Sequence, residues 1–326
     1  MKTTSLLWLL ASVFVTSASA HAQSGNGFHT RRCQEPASVF YTLGTNSGPL
    51  QNPERAEPAN YLSYGQEGLL IDVGDGATDQ LGKVGVAIPR VTAVLLSHLH
   101  FDHTGGLFGF LSRRYQTKIT APLTIYGPVG TQATVDQLVE AMTAKAGTID
   151  LFSTLSPDPS VGLTVVELTD GSQFDIGSIR VTAAVNTHYS LTDPTGAGEH
   201  SFAFRFDMPD RSIVYTGDTG PSEAIEELAS HVDLLVAEIM DPDESLARLL
   251  LQYPDSTPEE IAATEAHFRK QHLSPEEVGK MASRARCDRL ILTHNAISYD
   301  NLPAAKERIA TYYARRITFA RDLQQF

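Results

Sequence analysis

Within the stretch Val91–Gly106, VTAVLLSHLHFDHTGG, three imidazoles and a carboxylate fall inside six residues: His98, His100, Asp102 and His103. An apolar run leads into them, so a buried strand is predicted to end at Ser97 and deliver the four groups into one tight loop. Neutral imidazole nitrogen and carboxylate oxygen form a borderline donor set that suits zinc, with manganese or iron as alternatives. His98 and His100 point the same way from extended backbone and can share one ion. Asp102 and His103 sit around the bend and can serve a second.

Such a site needs further donors, and the sequence offers them at other strand ends. Predicted strands at Ile179–Asn186, Ser212–Tyr215 and Arg289–Leu292 run out at His188, Asp218 and His294. Further strands are expected at Ser38–Gly44, Tyr61–Tyr64, Gly68–Val73, Pro122–Tyr126, Leu163–Leu168, Phe202–Phe206 and Val232–Ile239, with Arg289–Leu292 as the last. Asp170-Gly171 and Pro209-Asp210 are read as the turns of two strand pairs. Helices are expected over Ala77–Val86, Leu107–Arg114, Thr131–Ala146 and Ser222–His231. Strand ends of a packed sheet converge on one rim, where donors distant in sequence can meet. The expected architecture is α/β, a four-layer αββα sandwich with the site between the upper edges of its sheets. The halves before and after about Asn186 have similar strand content. The Gly/Pro/Asn-rich loop Thr45–Pro58 should border the site.

The run HLHFDH followed by TGGL resembles the HxHxDH signature of the metallo-β-lactamase-fold hydrolases. SHLHFDHTGGLFGFLSRRY and PLTIYGPVGT are similar to the ribonuclease Z and arylsulfatase-like branch of that superfamily, with the likeness running from about Val39 to His294. The ligand set is therefore read as His98, His100 and His188 on one ion and Asp102, His103 and His294 on the other, with Asp218 bridging. The cofactor expected is two Zn2+, with Mn2+ or Fe as alternatives. The resemblance implies that Asp72 orients the loop without binding metal; an ordinary Asp-Gly turn residue is the competing reading. It also implies that Glu238, in DLLVAEIMD, and His272, in KQHLSPEEVGKMA, protonate the leaving group. The carboxylate would orient the imidazole and raise its pKa toward 7. Asp102, Glu238 and His272 are the candidate catalytic residues. His272 stands just before Ser274-Pro275-Glu276-Glu277, read as a capping box. His21, His29, His200, His231 and His267 are assigned no catalytic role.

Composition bounds these readings. The chain has 326 residues and a formal net charge of −13, which weighs against a general surface for polyanions. Met1–Ala22 reads as a cleaved secretory signal, with Ala18-Ser19-Ala20 and Ala20-His21-Ala22 fitting the cleavage pattern. Export to the periplasm or outside follows. Residues 23–37 form a flexible mature amino terminus, and 38–326 a single metallo-hydrolase domain. Cys33 and Cys287 either pair or remain separate thiols. No stretch is apolar and long enough for a membrane span.

A bridging carboxylate departs from the true β-lactamases of the superfamily. The short, mixed-charge segment from His188 to Asp218 departs from ribonuclease Z enzymes that process tRNA, which typically carry a long Gly/basic arm there, so tRNA is not expected. The helical insertion at about 241–271 contains Leu246, Leu249, Leu250, Leu251 and Tyr253, read as a short apolar helix. It begins after Glu238 and ends before His272, and is either a lid or pocket wall or a packing or dimer element. A homodimer is compatible with the resemblance. The expectation is an exported dinuclear-zinc hydrolase of small phosphodiester or sulfate esters. A lactonase or other acyl hydrolase is the alternative, and a metal-stabilised binding protein the third reading.

Overall fold

The computed structural model describes residues 37–143, 158–193 and 198–326. The expected signal segment, residues 23–36, Cys33 and the last residues of the helix expected over Thr131–Ala146 lie outside the described residues.

Strand β1 (Val39–Gly44) pairs antiparallel with β2 (Ala59–Tyr64), which turns into β3 (Glu67–Val73). Helix α1 (Ala77–Lys83) crosses over to β4 (Ala93–Leu95), parallel to β3. After α2 (Phe101–Thr104) and α3 (Leu107–Gln116), β5 (Leu123–Gly127), α4 (Thr131–Thr143) and β6 (Leu163–Glu167) extend the parallel run. The chain then enters a second sheet through β7 (Gln173–Ile176), β8 (Ile179–Val185), β9 (Phe202–Asp207) and β10 (Ser212–Tyr215), all antiparallel neighbours. Helix α5 (Glu223–Leu228) leads to β11 (Leu234–Ile239). Helices α6 (Pro242–Gln252), α7 (Pro258–Gln271) and α8 (Pro275–Ala285) precede β12 (Arg289–Asn295). Helix α9 (Leu302–Ala310) and β13 (Arg316–Phe319) follow, before β14 (Gln324–Gln325) returns to pair with β1.

Among the described residues the strands form two seven-stranded sheets, ordered β14-β1-β2-β3-β4-β5-β6 and β13-β12-β11-β10-β9-β8-β7. Alternation decides the layers. Leu69 and Ile71 of β3 face Phe204, Phe206, Tyr215 and Ile291 of the other sheet. Leu70 and Val73 turn the other way, toward Leu81 of α1 and Phe110 of α3. Leu235 and Leu290 likewise face Ile225, Val278 and Ile309 of α5, α8 and α9. Strands buried on both faces read as continuous apolar runs. The result is the expected αββα order of layers.

Three expectations on local structure need correction. Asp170-Gly171 is not a hairpin turn: it marks the crossing from β6 in the first sheet to β7 in the second, so the halves divide there and not near Asn186. Arg289–Leu292 is not the last strand, since β13 and β14 follow. The leucines of α6, expected as a short apolar helix, are half-buried or exposed in the chain, with Leu251 86% exposed, so they do not join its core. The helices of the insertion are held by caps. The Asp241 side chain accepts from two backbone N–H groups of α6, and Thr257 and Glu260 form a reciprocal capping box on α7. At α8 only half the expected box forms: Ser274 caps, while Glu277 pairs with Lys280 at 2.6 Å.

The carboxyl-terminal segment ties down the loop that follows β1. Asp322 accepts hydrogen bonds from Thr45 N and Oγ1 at 2.9 and 2.7 Å and from Ala56 N at 2.6 Å. Thr45 O in turn accepts from Asn295 N at 2.9 Å, joining the ends of β1 and β12. Replacing Asp322 with Ala strands two backbone donors, and chemical denaturation should show a loss of about 1–3 kcal/mol.

Candidate metal centre

Asp72 ends β3 in a left-handed conformation, φ 56°, which turns its carboxylate toward the histidine loop. Ser97 donates to it from N at 2.7 Å and from Oγ at 2.8 Å, Tyr215 Oη donates at 2.7 Å, and His103 Nδ1 lies at 2.8 Å. All of these groups are buried. An Asp-Gly turn residue would face solvent, so the arrangement matches the orienting reading. Backbone packing keeps the loop tight: a Cβ on Gly106 would lie 2.2 Å from Gly74 O, and one on Gly48 would meet the Asp102 side chain at 2.4 Å. Gly48 N donates to Asp102 Oδ2 at 3.2 Å, so the loop after β1 does border the site.

The seven proposed ligands come together as two groups. In the first, His98 Nδ1 lies 3.0 Å from Ser97 Oγ, and His188 Nδ1 lies 3.1 Å from the carbonyl of Gln271. Each Nδ1–H is thereby spent, and each Nε2 presents a lone pair. Both lone pairs face His100 Nδ1, at 3.0 and 3.2 Å. One hydrogen on His100 cannot satisfy both, whereas a cation can. In the second group, His103 Nε2 lies 3.5 Å from Asp102 Oδ2 and 3.3 Å from Asp218 Oδ1. His294 Nε2 lies 3.3 Å from Asp102 Oδ2 and 3.2 Å from Asp218 Oδ2. One oxygen of Asp218 also lies within 4.8 Å of ring nitrogens of His188 and His272, so this carboxylate reaches from one group toward the other. His294, like Asp72, has positive φ, 41°.

Glu238 Oε2 lies 2.7 Å from His272 Nδ1, and Thr219 N donates to Glu238 Oε1 at 2.5 Å. His272 opens into a cavity of about 390 Å3 that also meets His100, Asp102, His188, Asp218 and His294. His267, which was assigned no role, lines the same cavity from α7. Its ring centroid is 5.0 Å from that of His272, and its Nδ1 lies 2.6 Å from Gln271 Oε1. Sequence reasoning also missed Ser97, Tyr215, Asn186 and Gln271. Asn186 Oδ1 accepts from His188 N at 3.0 Å, and Gln271 holds His188 from both its carbonyl and its amide. The i,i+4 spacing of His267 and Gln271 was the one signal available.

Electrostatics separate the groups. Burial pushes His98 well below its ordinary pKa, lowers His100, and pushes His188 to about 3, which leaves three neutral imidazoles. Burial also opposes charge on His103 and His294, but neighbouring carboxylates win. Asp218, Asp102 and Asp72 hold His103 well above the usual value, and Asp218 and Asp102 raise His294 to about 9. Against their own burial, Asp102 and Asp218 are held low by these imidazolium neighbours. Burial, then the charge of Asp218, drives Glu238 well up, while burial lowers His272 to about 4. The expected rise of His272 toward 7 is thus not met: desolvation outweighs the pull of Asp218 and Asp102.

The chain matches the β-lactamase superfamily domain over residues 69–295. It is 30% identical over 289 residues to ribonuclease Z of Mycobacterium marinum, spanning 87% of this chain and 96% of that one. Its fold is similar to that of the metallo-beta-lactamase fold protein YhfI from Bacillus subtilis, with a TM-score of 0.63, 19% identity and coverage of 90% and 99% of the two chains. Human tRNase Z, short form, is similar with a TM-score of 0.60, 22% identity and coverage of 88% and 98%. At these identities the two structures speak for the fold alone.

Asn tolerates the backbone of Asp72 but offers donors where acceptors are needed. Asp72→Asn should weaken zinc binding about 10–100-fold in a chelator competition, with the fold retained by circular dichroism. Because His103 and His294 hold protons at neutral pH, zinc binding should release about two protons per chain, read by calorimetry in buffers of different ionisation enthalpy.

Proposed function

The chain belongs to the β-lactamase superfamily as a metallo-β-lactamase-fold hydrolase of the ribonuclease Z branch, and on that premise we propose that it cleaves small phosphodiester or sulfate esters at a two-metal centre. One observation carries the reading: members of both donor groups (His100 and His188; Asp102, Asp218 and His294) and His272, which Glu238 backs from behind, line the same cavity. The donor atoms suit metal. His103 Nε2 and Asp218 Oδ1, which lie 3.3 Å apart, are buried without a hydrogen-bond partner, which is costly unless something else meets them. In this reading His98, His100 and His188 hold one ion, Asp102, His103 and His294 the other, and Asp218 bridges. Two zinc ions so held would supply a water acidic enough to attack near neutral pH, and positive charge to stabilise the attacked centre.

The remaining work falls to the chain's own groups. Nδ1 of His272 is taken by Glu238, so Nε2 is the atom that meets the departing oxygen. Burial and then Asp218 push Glu238 upward, which favours a proton held within the pair. As His272 Nε2 gives its proton to the leaving group, the Glu238 carboxyl replaces it at Nδ1 along the 2.7 Å hydrogen bond. Orientation of His188 by Gln271, and of the loop by Asp72, keeps these groups at fixed spacing.

The small-substrate reading is supported by the net charge of −13 and by the mixed charges between His188 and Asp218. Relatives named ribonuclease Z support a second reading, an RNA phosphodiester cleaved by the same groups. Acyl hydrolysis is the third, and needs the proton donor least. Export rests on the amino-terminal segment alone, and amino-terminal sequencing of protein recovered outside the cytoplasm tests it.

Zinc-loaded protein offered chromogenic phosphodiester, sulfate, lactone and β-lactam substrates and a precursor tRNA should turn over the small esters. His272→Ala should slow esters with poor leaving groups about 10²–10⁴-fold while leaving nitrophenyl esters near the parent rate. Turnover confined to lactones and insensitive to the substitution, or confined to the RNA, would refute the assignment.

A further inference from the structure

Beside the donor-lined cavity lies a second one, of about 270 Å3, between α6, α7 and the loop after β1. Gly48 and Pro49 line both and form the ridge between them. Pro49, Leu50, Met240, Leu249 and Phe268 form an apolar part of its wall, with Asn46, Asn52 and Gln252 among the polar residues that complete it. Ser47 and Ser245 line it as well, residues only 8% and 7% exposed whose hydroxyl oxygens are themselves buried beneath the cavity surface. Arg248 lines the same cavity and donates to the carbonyl of Ala296.

We infer that this second cavity binds the substituent that stays on the attacked centre, an aryl-sized group; the inference rests on the ester reading above. Size permits it, since a cavity of about 150 Å3 already accepts benzene. The position of the proton donor decides which substituent goes there. His272 and His267 line the first cavity and not the second, so the departing alcohol stays with them. Helix α7 is the partition: His267 faces one cavity and its neighbour Phe268 the other. The pair α6 and α7 is therefore a specificity wall for the retained group.

The test compares two diesters with the same leaving group, bis(4-nitrophenyl) phosphate and methyl 4-nitrophenyl phosphate, on full-length zinc-loaded protein. The parent should favour the aryl diester by about tenfold or more in kcat/KM. Leu249→Trp, which fills the cavity, should abolish that preference and leave the methyl diester within about twofold. Ser245→Val fills it from the opposite wall and serves if the first variant does not fold. Equal loss on both diesters, or a preference left intact, overturns the subsite while the ester reading stands. If the parent cleaves neither, equilibrium binding decides. Diphenyl phosphate held about tenfold tighter than dimethyl phosphate, with the margin lost in either variant, keeps the subsite and sinks the ester reading. No margin in the parent sinks the subsite.

Discussion

A single buried carboxylate organises the centre. Asp72 collects an N–H and an O–H from Ser97, an O–H from Tyr215 and the Nδ1 edge of His103. Its partners come from the loop after β4 and from β10, so one side chain joins both sheets at their upper rim. Charge-assisted bonds of this kind are short and directional, and four of them leave the acceptor no freedom to rotate. Ser97, once it has given its hydrogen to Asp72, must accept from His98 Nδ1, and the tautomer of a candidate ligand follows. The strained backbone at Asp72 is maintained by this surplus of partners.

Much of the centre could be read from residue order because it sits where strands stop. A run of apolar residues that ends in His, Asp or Asn is visible in the chain, and His98, His188, Asp218 and His294 all follow that rule. The histidine loop and the αββα layering are visible for the same reason: alternation and turn residues are local signals. The elements that went unread lack such signals. Strand β7 is mixed in polarity and follows an Asp-Gly turn that equally suits a hairpin. Strand β13 has only four residues and β14 two, too few for alternation to stand out. Tyr215 looks like any core tyrosine until its hydroxyl is seen against Asp72, and His267 sits on a helix whose other residues are half-buried or exposed.

The electrostatic outcome was the hardest to foresee. A carboxylate beside an imidazole ordinarily raises its pKa, yet at His272 burial wins and the proton stays toward Glu238. At His294 the same burial loses, because Asp218 and Asp102 both face it. Asp218 and Asp102 pull on both rings, but His294 Nε2 lies 3.2 Å from the first and 3.3 Å from the second, a closeness His272 does not share.

The donors are divided unevenly between the two sheets. His98, His100, Asp102 and His103 follow β4 in the first, while His188 and Asp218 follow β8 and β10 of the second and His294 lies near the end of β12. A cation gripped by both sets works as a clasp across the seam, so ion capture and closure of the two layers become one equilibrium. Far from the rim, the aromatic packing of Phe40, Phe204 and Phe206 holds the layers without help. Chelation would thus loosen the mouth of the sandwich before its base, and the stability lost would be concentrated where the chemistry occurs.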